Sequence, residues 1–303
     1  MPSDIFQCAV NFSEGRRASV VDALAEAMSR SAGARLIDYS FDYDHNRCVM
    51  TLLGNAEGIF DAVLGAARVA VEKIDMRAHQ GVHPRTGAID VVPIVPLWET
   101  DPEHALTLAD SIGHALAEEL SLPVYFYERS ARAHQKSALP DIRRGGFEAV
   151  RDAPLNGERL PDLGSSHVHP TAGLTIVGAR GPLVAYNIDL AGADTSVARQ
   201  IATRIRRERT RLPELTGVRA LGLFLASRNR AQVSMNLTAP DQTPLPAVYR
   251  FVAEEAAKLG IGVEASELIG ALPIASLGGE PPDAIRWKGY KPAQILETWF
   301  PTE

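Results

Sequence analysis

The spacing of apolar residues alternates between two periods along this chain. Short continuous apolar runs are typical of buried strands, whereas apolar residues three and four positions apart are typical of one helix face. In the first half, this pattern predicts the order strand, helix, strand, strand, helix, strand, with one further helix and one further strand. The predicted elements span, in chain order, residues 5–10, 21–28, 35–39, 48–53, 59–74, 88–95, 104–120 and 124–127.

The second half of the chain repeats the same order of elements. Its predicted elements span residues 183–190, 197–205, 218–225, 233–237, 248–259 and 261–263, and a polar connection at 227–230 joins the middle two strands as a hairpin. Two consecutive units of this kind predict two ferredoxin-like (βαββαβ) subdomains. We therefore expect an α+β fold with mixed sheets, each carrying its helices on one face.

The densest polar cluster is the loop at residues 79–87, between a predicted helix and a buried strand. His79 and His83 have the spacing of zinc ligands on a helix, but no Glu follows the first His, and Gly81 and Pro84 disfavour a helix there. We therefore expect no metal site. Imidazole suits proton transfer near neutral pH, so His83 is a candidate catalytic residue, although a loop histidine can also be purely structural.

Two arginines are candidates for binding carboxylates. Arg47 offers a planar fork of donors that matches a carboxylate, and Arg85 lies two residues after His83. The acidic residues Asp42 and Asp44 precede Arg47 in the same turn. These residues predict either a polar site or a solvated turn at the edge of a strand.

A third cluster lies at residues 164–173, within a long stretch that shows no clear periodicity. Small hydroxyl residues between glycines let backbone N–H groups approach a ligand. The segment has no Gly-Lys-Ser/Thr, so it is not a phosphate-binding Walker loop. Long stretches of this kind are usually functional or serve as linkers.

Composition and charge narrow the classes of function. The chain is 46% hydrophobic and 22% charged, as in an ordinary globular protein. A formal net charge of −6 argues against nucleic acid as a partner. Cys8 and Cys48 lie in apolar runs and are expected in the core. The absence of a signal-peptide pattern and of a long apolar run predicts a cytoplasmic protein that does not enter membranes.

Several motifs, taken together, resemble the glutamate formimidoyltransferase family, which includes the formiminotransferase part of formiminotransferase-cyclodeaminase. The similarity covers almost the whole chain, and the Asn-Phe-Ser-Glu-Gly and His-Pro-Arg motifs are its most specific parts. The matching stretches lie at residues 10–15, 46–47, 74–76, 83–85, 87–88, 90–91, 117–120, 139–140, 142–143, 178–180, 187–188, 231–234 and 236–237.

The resemblance implies roles for particular residues. The catalytic histidine of the family falls on His83. The segment that binds folate falls on Gly164, Ser165, Ser166, His167, Val168, His169, Pro170, Thr171, Ala172 and Gly173. We expect contacts with the substrates from Asn11, Asp42, Asp44, Asn46, Arg47, Arg85 and Arg180. The family fold implies that two subdomains, 1–180 and 181–303, face a ligand cleft, as in a stand-alone microbial form.

The implied reaction moves a formimino group from N-formimino-L-glutamate to N5 of tetrahydrofolate, giving 5-formimino-tetrahydrofolate and L-glutamate in histidine degradation and one-carbon metabolism. Tetrahydrofolate is a co-substrate, no metal is implied, and a homodimer is expected. Ser40, Val82 and Ala172 depart from the family pattern. Two alternatives stay open: a formyltransferase that uses 5-formyl-tetrahydrofolate, and a folate-binding protein without catalysis.

Overall fold

The computed structural model describes residues 4–132, 137–152 and 154–299. The chain divides into two compact units, Met1–Arg180 and Gly181–Glu303. The strands of the first unit are β1 (Phe6–Phe12), β2 (Ala34–Asp42), β3 (Arg47–Gly54), β4 (Ile89–Pro96), β5 (Val124–Phe126) and β6 (Thr175–Ala179). Its helices are α1 (Ala18–Ser29), α2 (Ala56–Lys73), α3 (Pro102–Leu120), α4 (Leu139–Ile142) and α5 (Glu148–Arg151).

The first sheet has the strand order β2-β3-β1-β4-β6-β5. The helix α1 returns the chain so that β1 and β2 run in the same direction, and β3 lies between them, antiparallel to both. β4 completes the four-stranded ferredoxin-like sheet beside β1. This arrangement places the end of β1 beside the start of β3.

The side chains of β1 point alternately to the two faces of the sheet, and those on one face form part of the first core. Phe6, Cys8, Val10 and Phe12 are fully buried and join the apolar faces of the helices, as the period of two requires. Both cysteines are buried free thiols, as expected, and burial raises the pKa of Cys48 to about 12. Neither thiol is therefore suited to act as a nucleophile at neutral pH.

The strands β5 and β6 extend this sheet beyond the ferredoxin-like pattern, and both pairings are parallel. The apolar pattern did not predict β6, which follows the irregular segment directly. A second apolar cluster, on the other face of these strands, includes Tyr125, Tyr127, Val150 and Leu155. The segment after α3 therefore folds back over the sheet.

The second unit contains β7 (Val184–Leu190), α6 (Thr195–Glu208), β8 (Val218–Leu225), β9 (Arg230–Leu237), α7 (Leu245–Lys258) and β10 (Val263–Ile269). The strand order is β10-β7-β9-β8, which is again ferredoxin-like, and every pairing is antiparallel. The predicted α+β fold with two such subdomains is confirmed. The prediction of mixed sheets is right for the first sheet and wrong for the second, because only the first gains parallel strands.

In the described part of the chain, no helix is both long enough and apolar enough to span a membrane.

Gly87 lies where the loop before β4 meets the loop before β6. It forms an isolated antiparallel bridge with Gly173, and a β-carbon at this position would overlap the carbonyl oxygen of Leu174. The close approach of two backbones therefore requires glycine here.

We expect Gly87→Ala to lower the free energy of unfolding by about 1–3 kcal/mol, because the added methyl group forces the two loops apart. Urea denaturation followed by circular dichroism measures this change. Gly181→Ala is the control, since its added β-carbon meets no atom within 4 Å. Equal losses in the two variants would show that the loops do not need to approach so closely.

Candidate active site

The candidate site lies where strand ends of the first sheet converge. Asn11 is near the end of β1, Asp42 is the last residue of β2, and Arg47 is the first residue of β3. Phe12 pairs with Cys48 in the antiparallel β1–β3 register, so the neighbouring side chains of Asn11 and Arg47 come together. The loop that carries His83 reaches the same edge before β4.

The closest contact in this cluster joins Arg47 to His83, with 2.7 Å between Nη1 and Nε2. A guanidinium can only donate, so Nε2 of His83 must be the acceptor. The proton of the ring is then on Nδ1, which lies 2.8 Å from the carbonyl oxygen of Pro84 and donates to it. His83 is therefore a neutral imidazole with a defined tautomer, and the ring of His45 stacks on it at 5.7 Å between centroids.

Burial lowers the pKa of His83 well below its ordinary value, and the positive charges of Arg47 and Arg143 lower it further. Burial also lowers the pKa of Arg47 to about 10, so its guanidinium still carries a proton at neutral pH. Both effects keep His83 unprotonated. The ring can accept a proton from a substrate, provided that its Nε2 lone pair is available.

Arg47 is a cation that is partly buried, and few hydrogen bonds or ion pairs compensate for its lost hydration. Its other hydrogen bond joins Nη1 to Oδ1 of Asn11 at 3.4 Å. Within the described residues, no carboxylate forms an ion pair with Arg47; Asp90 and Asp42 raise its pKa only through their charge. Such a guanidinium is suited to receive an anionic group of a ligand.

A chain of hydrogen bonds fixes the loop from the opposite side. Nε of Arg85 donates to Nδ1 of His79 at 3.0 Å, so His79 is protonated on Nε2 and donates to the carbonyl oxygen of Asn46 at 2.8 Å. Arg85 also donates to Glu148 at 2.7 Å and holds the pKa of that carboxyl down at about 2. His79 and Arg85 thus support the backbone that presents Arg47.

Asn46 adopts a left-handed backbone conformation, with φ of 48°. Its Oδ1 accepts from the backbone N–H of Gly15 at 3.0 Å, and its Nδ2 donates to the carbonyl oxygen of Gln80 at 2.9 Å. Asparagine is one of the few residues that tolerate this conformation. Asn46 therefore turns the chain into β3 and connects it to two other loops.

A buried ion pair under the loop was not predicted from the sequence. Asp90 is 2% exposed, and it pairs with Arg143 from the segment after α4. The other oxygen of Asp90 accepts from the N–H and the hydroxyl of Thr86, at 2.8 and 2.9 Å. Both residues belong to stretches that matched the family, but the pattern gave no sign that they pair.

Comparison with known proteins assigns the chain to a family. The N-terminal subdomain of the formiminotransferase domain matches residues 5–180, and the formiminotransferase domain matches residues 185–279. The chain belongs to the formiminotransferase family.

Relatives in this family occur in two lengths. The chain is 37% identical to a glutamate formimidoyltransferase of Streptococcus pyogenes, with 90% of both chains covered. It is 36% identical to one of Thermoplasma acidophilum, covering 97% of this chain and 96% of the relative. It is also 38% identical to the formimidoyltransferase-cyclodeaminase of Rattus norvegicus over 91% of this chain, but spans only about half (51%) of that relative.

The segment that the family resemblance assigns to folate lies directly against the loop of His83. The N–H of Ala88 donates to the carbonyl oxygen of Ala172 at 2.8 Å, and that of Leu174 donates to Thr86 at 3.2 Å. Nδ1 of His169 accepts from the N–H of Ala172 at 3.0 Å, which stabilises the turn. The residues from Gly164 to His167 are exposed. The structure thus brings the two predicted regions together, while folate binding itself stays a prediction.

The other predicted contact residues differ in how close they lie to His83. Oδ1 of Asp42 accepts from the N–H of His45 at 2.8 Å, and Asp44 is buried, with its carbonyl oxygen bonded to Val82. Arg180 follows β6, and its N–H bonds to Ile94 near the far end of β4. The structure therefore does not bring Arg180 into the cluster. In the described ranges, no three side chains of the usual ligand types form a metal-binding group.

We expect Asn46→Ala to lower the free energy of unfolding by about 2–4 kcal/mol, because it removes two hydrogen bonds and leaves alanine in a left-handed conformation. Asn46→Gly removes the same hydrogen bonds without the conformational strain, so we expect a loss of about 1–3 kcal/mol. Urea denaturation of both variants separates the two contributions. Identical losses would mean that the backbone conformation carries no cost.

Proposed function

We propose that this chain transfers the formimino group of N-formimino-L-glutamate to N5 of tetrahydrofolate. The observation that carries the proposal is His83, which is held neutral with its proton on Nδ1 and its Nε2 directed at the cluster. The names of the relatives that match this chain along most of their own length support the same activity. Tetrahydrofolate is a co-substrate, and residues 164–173 are its proposed binding segment.

The reaction is an exchange at an amidine carbon. N5 of tetrahydrofolate attacks that carbon, and a new carbon–nitrogen bond forms as the proton of N5 moves to Nε2 of His83. The bond between the carbon and the glutamate nitrogen then breaks, and His83 returns the proton to the leaving nitrogen. The imidazole is regenerated, and the products are 5-formimino-tetrahydrofolate and L-glutamate. The exchange itself requires only proton transfer and positioning.

Charge in the surroundings supports this sequence of steps. A protonated formimino group is cationic, so a carboxylate nearby stabilises it, and Asp42 and Asp44 are the proposed groups on the adjoining turn. The carboxylates of the glutamate donor need a cation, and Arg47 is the proposed contact. Arg85 is occupied by Glu148 and His79, so its proposed contribution is to hold the loop. We further propose that the enzyme acts as a cytoplasmic homodimer.

We expect His83→Ala to lower kcat by roughly 10²–10⁴-fold, because the variant lacks the group that accepts the proton of N5. The measurement is turnover with N-formimino-L-glutamate and tetrahydrofolate, following glutamate release, with 5-formyl-tetrahydrofolate as a second donor in parallel. His114→Ala is the matched control, since this histidine lies on α3 with its side chain 44% exposed. If the wild-type enzyme turned over only the formyl donor, 5-formyl-tetrahydrofolate would replace N-formimino-L-glutamate as the proposed donor.

Normal turnover by His83→Ala would overturn the assignment of the base. Addition of free imidazole separates a lost base from a damaged fold, because a small base restores part of the activity only when the pocket is intact.

We expect the acid limb of the kcat/KM profile to lie below pH 6.5, the ordinary value for a histidine. The base works only when His83 is neutral. Because the pKa of His83 is lowered, activity is lost only when the pH falls below that lowered pKa. Initial rates across a pH series measure the limb. A limb at or above pH 6.5 that vanishes in His83→Ala would show that burial and Arg47 do not depress the pKa of this histidine.

A further inference from the structure

Arg47 occupies the one atom of His83 that the proposed reaction needs. Nε2 is the acceptor of the ring, and Nη1 of Arg47 donates to it at 2.7 Å. The opposite nitrogen is committed to the carbonyl oxygen of Pro84. In this arrangement, the base has no free lone pair, so Arg47 must move before a proton can be accepted.

The surroundings of Arg47 indicate what can move it. No carboxylate of the described residues forms an ion pair with its guanidinium, so an arriving anion meets no internal competitor. The bond from Arg47 to the neutral imidazole has one charged partner, whereas a bond to a carboxylate has two charged partners of opposite sign, and a carboxylate can take two N–H groups at once. An incoming carboxylate therefore competes successfully with the ring of His83.

Asn11 offers a second acceptor that remains when the bond to His83 is broken. Its Oδ1 lies 3.4 Å from the same Nη1 atom that contacts His83. A small rotation of the guanidinium toward Asn11 moves Nη1 away from Nε2 without leaving it unpaired. The released position is thus supported by a residue already beside it.

The chemistry of the two substrates decides which carboxylate acts. The α-carboxylate of N-formimino-L-glutamate is attached to the carbon that carries the reacting nitrogen, so it lies next to the atoms that His83 serves. The carboxylates of tetrahydrofolate lie beyond its aminobenzoyl ring, far from N5. The γ-carboxylate of the donor lies two methylene groups further from that nitrogen, so the α-carboxylate is the group best placed to contact Arg47 while the reacting atoms contact His83.

We propose that Arg47 covers the lone pair of His83 until the α-carboxylate of the donor draws the guanidinium away and exposes the base. This inference rests on the proposed function, and it assigns Arg47 two linked tasks: selecting a donor with an α-carboxylate and releasing His83. Tetrahydrofolate bound alone then faces a covered base. The base becomes available only when the formimino donor is in place.

The first test measures donor selection with the full-length protein. The donors are N-formimino-L-glutamate and its α-carboxamide analogue, compared by kcat/KM. We expect wild-type enzyme to prefer the carboxylate by on the order of 100-fold, since an unpaired charge remains with the amide. Arg47→Gln should lose activity with the natural donor and show a preference of only a few fold. Arg77→Gln, an exposed arginine paired with Asp75, is the control and should keep the wild-type preference.

The second test follows the imidazole directly and needs no turnover. Nitrogen NMR of ¹⁵N-histidine-labelled protein reports whether Nε2 of His83 accepts a hydrogen bond. N-acetyl-L-glutamate, which has the α-carboxylate but no formimino group, should shift this signal, whereas its α-carboxamide should not. Arg47→Gln should show the shifted signal without any ligand. The signal of His79 is the internal reference, because its hydrogen bonds go to Arg85 and Asn46.

The outcomes separate this inference from the proposed function. A wild-type enzyme that transfers the formimino group, with unchanged donor preference in Arg47→Gln, overturns the inference alone. A wild-type enzyme without turnover overturns the function, and the NMR signal still decides whether a carboxylate displaces Arg47. Arg47→Met removes the charge and the N–H donors with a side chain that still packs, and it replaces the glutamine variant, with the same expected results, if that one does not fold.

Discussion

A guanidinium held against an imidazole determines the character of this site. Two groups that can each carry a positive charge are not both charged at 2.7 Å in a partly dry pocket, and the arginine keeps its proton more strongly. The histidine is therefore neutral, and the bond also selects its tautomer. Three features of the first unit bring these side chains together: the antiparallel pairing of β1 with β3, the left-handed turn at Asn46, and the supports under the loop.

The two histidines of the loop show that neighbouring residues determine which ring nitrogen of a histidine carries the proton. His83 carries its proton on Nδ1, with Nε2 directed toward Arg47. His79 carries its proton on Nε2, because Arg85 donates to its Nδ1. One ring keeps an acceptor at the site, and the other uses both nitrogens for structure. The spacing of the two residues resembles a metal motif, but their rings have different hydrogen-bond partners: His83 contacts Arg47, and His79 supports the loop.

The local periodicity of the chain predicted most of the fold. Both ferredoxin-like units follow from apolar spacing, since each element buries one face on its own sheet. The strand Thr175–Ala179 was not predicted, because it follows an irregular segment and pairs with β4, more than seventy residues earlier. Its partner strands, and not its own pattern, decide that it is extended.

The candidate site was predictable in its residues and not in its connections. The His-Pro-Arg motif indicated His83 and Arg85, and the turn before β3 indicated Arg47. Charge alone could not tell that Arg85 is bound to Glu148 while Arg47 has no acidic partner among the described residues. That difference depends on a helix 63 residues further along the chain, and no local pattern records it.

The bridge between Gly87 and Gly173 also joins parts of the chain that are synthesised far apart in time. The N–H of Val82 bonds to Asp44, which precedes the loop, whereas Thr86 and Ala88 bond to Leu174 and Ala172, and this second set forms only after the chain from 88 to 172 has closed. Closing so long a loop is slow compared with forming a helix. A ribosome therefore synthesises the His-Pro-Arg motif long before these later partners exist. The nascent chain carries the loop without this second set of hydrogen bonds until residues 172–174 emerge.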